Sequence, residues 1–457
     1  MKILWNSNTV DEIMQSVSSK PWTCSGVSID SRTLEKGDLF VPLMGENGDG
    51  HIFLQDAADA GASAALVSKE VETQLPTIRV VDTLKAMEKL GVAARERSDA
   101  FRIAVTGSVG KTSTKDALKT VFKDQGITHG SVSSYNNQWG VPLTLARMPQ
   151  DTQFAIFEVG MSHAGEIRPL THMIKPHMAL ITSVVEAHAE FFESIEDIAR
   201  AKAEIFEGMA PGGTVILNQD NPYFDLLSIL AHEHALQVHG FGQSEKAYIR
   251  LLLWESTSHT SKVVAEIGGE KFSYVLPLPG MHWIFNSLAV LGAVQLAGAN
   301  VEQAIASLAH VEIPQGRGKQ HAGIFTIIDE SYNANPTSMR AALAVLGKSG
   351  KGRKIAVLGD MREMGDRARA HHENLLEPLI EHGIDMVFCC GPLMTHLYER
   401  LPNAMQGGYA QTSLELIPLV LNTVEAGDVV SVKASLGTRI KPVVDALLER
   451  QKEMAGL

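Results

Sequence analysis

Short apolar runs alternate with stretches of helical periodicity along most of the chain. A run that begins at Phe101 is followed by a glycine turn and by a helix-like stretch that begins at Lys111. Four later runs, IFTIID, KIAVLGD, DMVFCCG and DVVSVKAS, have the length of buried strands and are separated by helix-like stretches. Buried strands that alternate with helices favour parallel sheets. The predicted fold class is therefore α/β, and the chain contains no internal repeat or low-complexity tract.

Two breaks in this pattern divide the chain. The polar stretch RERSD (95–99) precedes the strand at Phe101, and Pro and Gly interrupt the pattern in HVEIPQGRGKQH (310–321). The length of the chain suits several domains of ordinary size. We predict three, at 1–98, 99–311 and 312–457. The first is an α/β domain, the second a P-loop ATPase-type domain with a parallel sheet, and the third a Rossmann-like α/β domain.

Composition and charge narrow the class of protein. The 457 residues are 45% hydrophobic and 20% charged, as in ordinary globular proteins, and a net charge of −12 argues against nucleic acid as a partner. No apolar run is as long as a membrane span, and MKILWNSNTVDEIM lacks the apolar stretch of a signal peptide. Cys24, Cys389 and Cys390 form neither a CxxC pair nor a metal cluster, which favours a reducing compartment. We expect a cytoplasmic monomer that does not insert into membranes.

The stretch AVTGSVGKTSTKDAL (104–118) carries phosphate-binding chemistry. It departs from the full Walker pattern, which has glycine where this chain has Val105, but it keeps Gly107 and the pair Gly110-Lys111. Glycines let the backbone curl so that amide N–H groups and the helix N-terminus surround a phosphate. Lys111 would reach the outer phosphates and Thr112 would bind Mg²⁺. The alternative is a glycine-rich helix start with a surface lysine, but the order strand, turn, helix favours a phosphate site.

Several strand-like runs end on a residue with useful chemistry. FAIFE ends on Glu158, MALITSVVEAH on His188, IFTIID on Asp329 and KIAVLGD on Asp360. Ligands of open parallel sheets bind beyond the carboxyl ends of the strands. Any one of these residues could instead be a helix cap or turn former. Together with the P-loop they favour a site, in which Glu158 and His188 suit Mg²⁺.

Lys202 lies on an apolar stripe. The segment SIEDIARAKAEIFEGM has apolar residues at helical spacing, and Lys202 shares their face: Ile195, Ile198, Ile205 and Met209. A lysine on a buried face needs a partner or a lowered pKa. One alternative is a lysine whose stem packs on the stripe while its amine reaches water. The other is a neutral amine that reacts with CO₂ to form a carbamate, an additional carboxylate for a metal.

With these pieces the sequence resembles the Mur ligase family, the ATP-dependent amide-forming enzymes of peptidoglycan precursor synthesis. The resemblance spans nearly the whole chain and rests on TGSVGKT, NNQWGVP, FEVGMSHAGEI, EAHAEFF, AKAEIF and LPGMHWIFN. DESYNANPTSM and VLGDMREMGD resemble the members that add D-alanyl-D-alanine, and DSRTLEKGDLFVPLMGENGDGHIF resembles a UDP-binding domain. The resemblance implies ligation of D-Ala-D-Ala to UDP-MurNAc-tripeptide through an acyl phosphate, with ADP and phosphate released.

The resemblance also implies roles for single residues around ATP. The phosphates would be bound by Gly107, Ser108, Val109, Gly110, Lys111, Thr112 and Ser113. Adenine would lie at Asn286, the ribose at Asp329, and Arg317 would reach the phosphates from the third domain. Two Mg²⁺ ions would be held by Thr112, Glu158, His188 and a carbamylated Lys202. The expected catalytic residues are Lys111, Lys202, His188 and Arg317.

The other two substrates would contact the outer domains. Ser31 and Arg32 lie where the UDP-sugar is held, and Asn137 where the muramoyl peptide passes. The side where D-Ala-D-Ala arrives would be lined by Tyr332, Asn333, Asn335 and Asp360. Trp283 and the stretch VKASLGTR (432–439) depart from the family pattern, so Lys433 and Ser435 receive no predicted role.

Two other kinds of protein share parts of this pattern. One is another ligase of the family, such as a folylpolyglutamate synthase or the ligase that adds the third peptide residue. The UDP-type N-terminal region argues against the first, and YNANP argues against the second. The other kind is a regulatory P-loop NTPase whose outer domains bind partners. The sequence leaves open whether the third peptide residue is meso-diaminopimelate or L-lysine.

Overall fold

A computed structural model describes residues 2–45, 48–186 and 189–455. Its three main sheets have four, nine and six strands and follow one another along the chain. The predicted α/β class is confirmed. The three sheets lie within the three predicted segments, and the boundaries at 98/99 and 311/312 stay predictions. Within the described residues, no helix is both long and apolar enough to cross a bilayer.

The N-terminal part holds a small parallel sheet with the strand order β3-β4-β7-β8 and two antiparallel pairs, β1-β2 and β5-β6. Its strands are β1 (Trp5–Asn6), β2 (Thr23–Cys24), β3 (Gly26–Ser28), β4 (Asp38–Phe40), β5 (Met44–Gly45), β6 (Gly48–Asp49), β7 (Ala64–Val67) and β8 (Thr77–Arg79). Its helices are α1 (Ser7–Met14), α2 (Leu54–Asp59) and α3 (Thr83–Glu96), with a 3₁₀ turn at Gly50–Phe53.

The central sheet has the order β10-β11-β9-β12-β13-β14-β15-β16-β17. Its strands are β9 (Phe101–Thr106), β10 (Thr128–Gly130), β11 (Phe154–Glu158), β12 (Met178–Ile181), β13 (Thr214–Asn218), β14 (Gln237–Gly242), β15 (Ile249–Ser256), β16 (Ser261–Ile267) and β17 (Glu270–Leu276). Its helices are α4 (Lys111–Lys123), α5 (Gly140–Ala146), α6 (Ile167–Ile174), α7 (Ile195–Ala203), α8 (Phe224–Glu233), α9 (Met281–Leu296) and α10 (Val301–Leu308), with 3₁₀ turns at Ala189–Phe191 and Glu204–Gly208. The pairs from β10 to β15 are parallel, whereas β16 and β17 add in antiparallel fashion.

The C-terminal sheet has the order β18-β19-β23-β20-β21-β22, parallel except for its edge strand β18. Its strands are β18 (Lys319–His321), β19 (Thr326–Glu330), β20 (Lys354–Gly359), β21 (Met386–Cys390), β22 (Gln406–Ala410) and β23 (Val429–Lys433). Its helices are α11 (Pro336–Lys348), α12 (Ala368–Glu373), α13 (Leu376–Glu381), α14 (Thr395–Tyr398), α15 (Ser413–Leu421) and α16 (Lys441–Ala455), with 3₁₀ turns at Gly365–Arg367, Asn403–Met405 and Leu436–Thr438.

The N-terminal and central parts share one hydrophobic core. Buried side chains from β3, β4, β7 and α3 form a single cluster with those of α5, β11 and α6. Gly91 of α3 faces Leu145 of α5 so closely that a Cβ at Gly91 would lie 3.0 Å from the Cβ of Leu145. Trp5 donates a hydrogen bond of 2.8 Å to the carbonyl of Ala146. The N-terminal part is therefore anchored to the wall of the central domain.

Candidate active site

A cavity of about 1010 Å³ lies where the loop after β9 faces the C-terminal domain. Its lining includes the loop 108–113, the segment 136–138, and Arg317, Tyr332 and Lys433 from the C-terminal domain. Both sheets present the carboxyl ends of parallel strands here. This is the edge at which ligands bind in open α/β sheets, so the cavity is the candidate site.

The loop between β9 and α4 has the shape that a phosphate site requires. Gly107 and Gly110 have φ angles of +147° and +90°, which side-chain-bearing residues rarely adopt. A Cβ on Gly107 would lie 1.9 Å from Oγ1 of Thr182, and one on Gly110 would lie 2.9 Å from Oδ1 of Asn286. α4 begins directly after this turn, at Lys111. The N-terminal amides of a helix and the positive end of its dipole favour an anion at this point.

Lys111 extends across the loop that precedes it. Its Nζ donates a hydrogen bond of 2.6 Å to the carbonyl of Gly107. Burial lowers the pKa of Lys111, the Glu158 carboxylate opposes that change, and the nearby Arg317 charge adds to it. Lys111 and Arg317, from two different domains, thus concentrate positive charge at the candidate phosphate site.

Glu158, at the end of β11, is 1% exposed and faces the first turn of α4. Its Oε1 accepts hydrogen bonds from Thr112 Oγ1 at 3.0 Å and from Asn136 Nδ2 at 2.8 Å. Its Oε2 is buried without a hydrogen-bond partner in the part of the chain that the structure describes. A buried carboxylate oxygen without a partner is costly, and a hard cation would satisfy it. Glu158 and Thr112 therefore fit Mg²⁺.

The rest of the predicted metal set is only partly described. His188 lies outside the described residues. Among residues 2–45, 48–186 and 189–455, no group of three His, Cys, Asp or Glu side chains could hold a metal by itself. A metal bound by Thr112 and Glu158 would thus need further oxygens, which phosphate groups supply.

Lys202 lies on α7 and is 2% exposed, which excludes the alternative of an amine that reaches water. Burial lowers the pKa of Lys202 well below its ordinary value, and the charge of Lys111 lowers it further. Lys202 does not line the cavity. A buried amine with a strongly lowered pKa carries the unprotonated form that CO₂ requires.

From the C-terminal domain, Arg317 reaches the central domain. Its guanidinium stacks on the ring of Tyr332 at 4.1 Å, and its Nη2 donates to Oγ of Ser134 at 3.2 Å. Asn333 lines the cavity, as does Asn335, whose side chain caps α11 by accepting from the Ser338 amide at 2.8 Å. The structure therefore brings together Arg317 and three of the four residues predicted to meet D-Ala-D-Ala.

Asp329 and Asp360 are buried and do not line the cavity. Asp329 accepts hydrogen bonds from the Gly316 amide at 3.2 Å, from Ser331 Oγ at 2.5 Å and from Lys441 at 3.2 Å. Oδ1 of Asp360 accepts from the Met394 amide at 2.9 Å, and burial raises the pKa of its carboxyl. Both carboxylates thus organise loops in this structure, and their predicted ligand contacts stay predictions.

The remaining predicted residues divide between the cavity and the outer surface. Asn137 and Asn286 line the cavity, and so does Trp283, one of the departures from the family pattern. Ser31 and Arg32 do not line it. The Arg32 side chain is 86% exposed and pairs with Asp30 at 2.6 Å.

Polar residues without a predicted role also lie in or beside the cavity, and Lys433, Lys115 and Ser134 are among them. Lys433 is 3% exposed, lines the cavity, and donates to Oε2 of Glu330 and to the carbonyl of Asn333, each at 3.0 Å. Lys115 is fully buried under the loop 131–133, and Ser134 lines the cavity. Lys433 ends β23 as Glu158 ends β11, so the strand-end rule could have identified it.

The sequence and fold of this chain place it in a known family. The fold and the site define a class of multidomain α/β protein in which an arginine of a second domain lies in the same cavity as a glycine-rich loop at a helix N-terminus. The chain belongs to the Mur ligase family. Residues 23–108 match its catalytic domain, residues 105–294 the Mur ligase middle domain, and residues 316–436 the glutamate ligase domain.

Curated relatives agree over nearly the whole chain. A UDP-N-acetylmuramoyl-tripeptide–D-alanyl-D-alanine ligase of Rickettsia prowazekii is 35% identical over 97% of this chain and 99% of its own. The Bacillus subtilis enzyme of the same name is 32% identical over 93% of both chains. Among solved structures, MurF from Acinetobacter baumannii is 27% identical, with a TM-score of 0.87 over 98% of this chain and 99% of that one.

Proposed function

We propose that this chain joins D-alanyl-D-alanine to the terminal carboxylate of UDP-N-acetylmuramoyl-tripeptide at the expense of ATP, with release of ADP and phosphate. The observation that carries the proposal is that one cavity is lined both by the phosphate loop (108–113) and by Arg317, Tyr332 and Asn333 of the C-terminal domain. It means that an activating phosphate and an incoming amine can meet in one cavity. The full-length relatives with this name support the same reaction.

The reaction has two steps. A carboxylate oxygen of the tripeptide attacks the γ-phosphorus of ATP, the bond from that phosphorus to the bridging oxygen breaks, and ADP leaves. Lys111 and Arg317 neutralise the charge on the transferred phosphoryl group. The amine nitrogen of D-Ala-D-Ala then attacks the carbonyl carbon of the acyl phosphate. The tetrahedral intermediate loses a proton and expels phosphate, which leaves the amide.

Thr112 and Glu158 would hold Mg²⁺. Thr112 offers its hydroxyl beside the phosphate loop, and Oε2 of Glu158 is buried without a partner among the described residues. Bound there, the ion would offset the negative charge of the phosphates. We further propose that Lys202 is carbamylated, which its burial and lowered pKa favour. Its carbamate and His188 would complete the oxygen and nitrogen ligands of two ions.

Water must be kept from the acyl phosphate, because hydrolysis would waste ATP. The cavity is lined by both the central and the C-terminal domains, and Tyr332 and Asn333 lie on its C-terminal-domain side. We assign that side to D-Ala-D-Ala, the segment around Asn137 to the peptide, and the N-terminal domain with Ser31 and Arg32 to the UDP-sugar. A cytoplasmic monomer stays part of this proposal.

Phosphate release tests the proposal. The protein is given ATP and a UDP-MurNAc-tripeptide that contains either meso-diaminopimelate or L-lysine, with and without D-Ala-D-Ala. Release that requires both the tripeptide and D-Ala-D-Ala, with formation of the pentapeptide, is expected. Release of phosphate from ATP when both the tripeptide and D-Ala-D-Ala are absent would instead identify a regulatory NTPase. Release with a UDP-dipeptide and a free diamino acid would identify the ligase that adds the third residue.

A further inference from the structure

Ser134 occupies the seam between the phosphate loop and the C-terminal domain. Its Oγ lies 3.2 Å from Nη2 of Arg317 and 3.2 Å from Oγ1 of Thr112. Thr112 Oγ1 in turn lies 3.0 Å from Oε1 of Glu158. The three contacts join a guanidinium of one domain to a buried carboxylate of another through two hydroxyls.

The direction of these hydrogen bonds follows from the number of hydrogens available. A hydroxyl has one hydrogen to donate, and a guanidinium can only donate. Thr112 donates to the Glu158 carboxylate, so the contact between the two hydroxyls must be donated by Ser134. Ser134 then accepts from Arg317. The chain of hydrogen bonds runs from Arg317 through Ser134 and Thr112 to Glu158, with opposite charges at its two ends, and hydrogen bonds to charged groups are the strong ones.

The side chain of Lys115 holds the backbone that precedes Ser134. Lys115 is fully buried, pairs with Asp116 at 2.6 Å, and donates to the carbonyl of Ser133 at 2.9 Å and to that of Ser131 at 3.3 Å. Ser133 has a φ of +50°, a conformation that a non-glycine residue seldom adopts. A buried cation thus fixes an unusual turn, and that turn presents the hydroxyl of Ser134 to Arg317.

We propose that Ser134 is a positioning residue that holds Arg317 against the phosphate loop when the C-terminal domain meets the central domain. Tyr332 supports one face of the guanidinium and Ser134 holds its edge, so the arginine is oriented before the phosphoryl group is transferred. Without the hydroxyl, Arg317 keeps its charge but loses its contact with the central domain. This inference rests on the proposed ligase function.

The test compares substitutions of equal shape. Ser134→Thr keeps the hydroxyl and adds a methyl group. Ser134→Val has the shape of the Thr variant but no hydroxyl, and Ser134→Ala removes the hydroxyl without adding bulk. Loss of one hydrogen bond to a charged group should lower kcat by roughly ten- to a hundredfold in the Val and Ala variants. The Thr variant should retain most activity, and KM for D-Ala-D-Ala should not change. Ser273→Ala is the control, since the Ser273 side chain is exposed on β17 and does not line the cavity.

A double-mutant cycle separates positioning from a general structural effect. If Ser134 acts through Arg317, Ser134→Val should cause no further loss of kcat in an Arg317→Ala background. Full activity of the Val and Ala variants, equal losses in the Thr and Val variants, or additive losses in the double mutant would each overturn the proposal. A wild-type protein that forms no pentapeptide would refute the ligase function itself. Thermal unfolding shows whether each variant is folded, and the Val and Ala variants serve as independent tests of the missing hydroxyl.

Discussion

Lys111 and Lys202 lie near enough for the charge of Lys111 to lower the pKa of Lys202. Both are disfavoured as cations by burial, but their surroundings differ. Lys111 lines the cavity and lies within reach of the charges of Glu158 and Arg317, whereas Lys202 is buried on α7 and does not line the cavity. One lysine can therefore serve as a cation toward a phosphate, and the other as a neutral amine.

Lys111→Ala should abolish ligation while the fold is kept. Lys111 is the P-loop side chain that can place a full positive charge on the outer phosphates, and loss of such a contact costs about two or more powers of ten in kcat. The measurement is pentapeptide formation, with circular dichroism as the control for folding. Near-normal turnover in a folded variant would mean that the loop does not bind the reacting phosphate.

Lys202→Arg and Lys202→Ala should both be inactive, and formate or acetate should partly restore the Ala variant alone. A carbamate offers two negative oxygens, which a guanidinium cannot replace and a small carboxylate in the vacated space can. The measurement is turnover with and without added formate. Removal of CO₂ from the wild-type buffer should lower activity, and bicarbonate should return it. Turnover by Lys202→Arg at the wild-type rate would rule out the carbamate.

Many polar contacts of this protein lie at the ends of helices and strands. α5 is short, and its last carbonyls lack partners within the helix. Nε2 of His129, on the edge strand β10, lies 2.7 Å from the carbonyl of Thr144 in that helix. Since a carbonyl only accepts, the imidazole donates to it. The contact joins β10 to α5, the helix that packs on α3.

His129→Gln should flatten the pH dependence of stability in mild acid. Burial lowers the pKa of His129 from 6.5 to about 4, so the unfolded chain binds a proton first as the pH falls. The stability that the neutral imidazole contributes is present above about pH 6.5 and is lost as the pH falls toward 4, by at most about 3 kcal/mol. Urea unfolding at several pH values measures it. His232→Gln, at an exposed histidine of α8, is the matched control. Parallel curves for the wild type and His129→Gln would contradict this assignment.

The interface between the N-terminal and central domains differs in character from the interface between the central and C-terminal domains. The N-terminal and central parts share a continuous apolar core. The C-terminal domain meets the central domain through polar contacts, such as Gln320 with Ser258 at 3.1 Å and Glu186 with Arg367 at 3.1 Å. Polar interfaces between domains are typical of those that open and close. We therefore expect the C-terminal domain, and not the N-terminal one, to move relative to the central domain.

Glu186→Lys should therefore open the unliganded protein. The substitution places a cation against Arg367 and near His371, which lies 3.0 Å from Glu186 in this structure. The radius of gyration, measured by small-angle X-ray scattering without substrates, should rise. Restoring opposite charges in Glu186→Lys/Arg367→Glu should bring it back toward the wild-type value. An unchanged radius in the single variant would show that the polar seam does not hold the domains together.

Short stretches of sequence were enough to predict the α/β class, the phosphate loop and the family, because each of these depends on the spacing of neighbouring residues. The glycines at 107 and 110, the helix at Lys111 and the apolar stripe around Lys202 are short-range patterns with a direct physical meaning. The family resemblance that such motifs carry implied ligand contacts for Asn137, Asn286, Arg317 and Tyr332, and these residues line one cavity together with Glu158.

The contacts between polar groups depend on how distant parts of the chain fold together. The hydrogen bond from Arg317 to Ser134 joins residues 183 positions apart, and the one from Lys433 to Glu330 joins residues 103 apart. Asp329 and Asp360 end strands as Glu158 does, but neighbouring loops enclose their carboxylates, which sequence spacing does not reveal. Strand ends predict where side chains gather. Whether a carboxylate faces a ligand or a backbone amide depends on how distant loops pack around it.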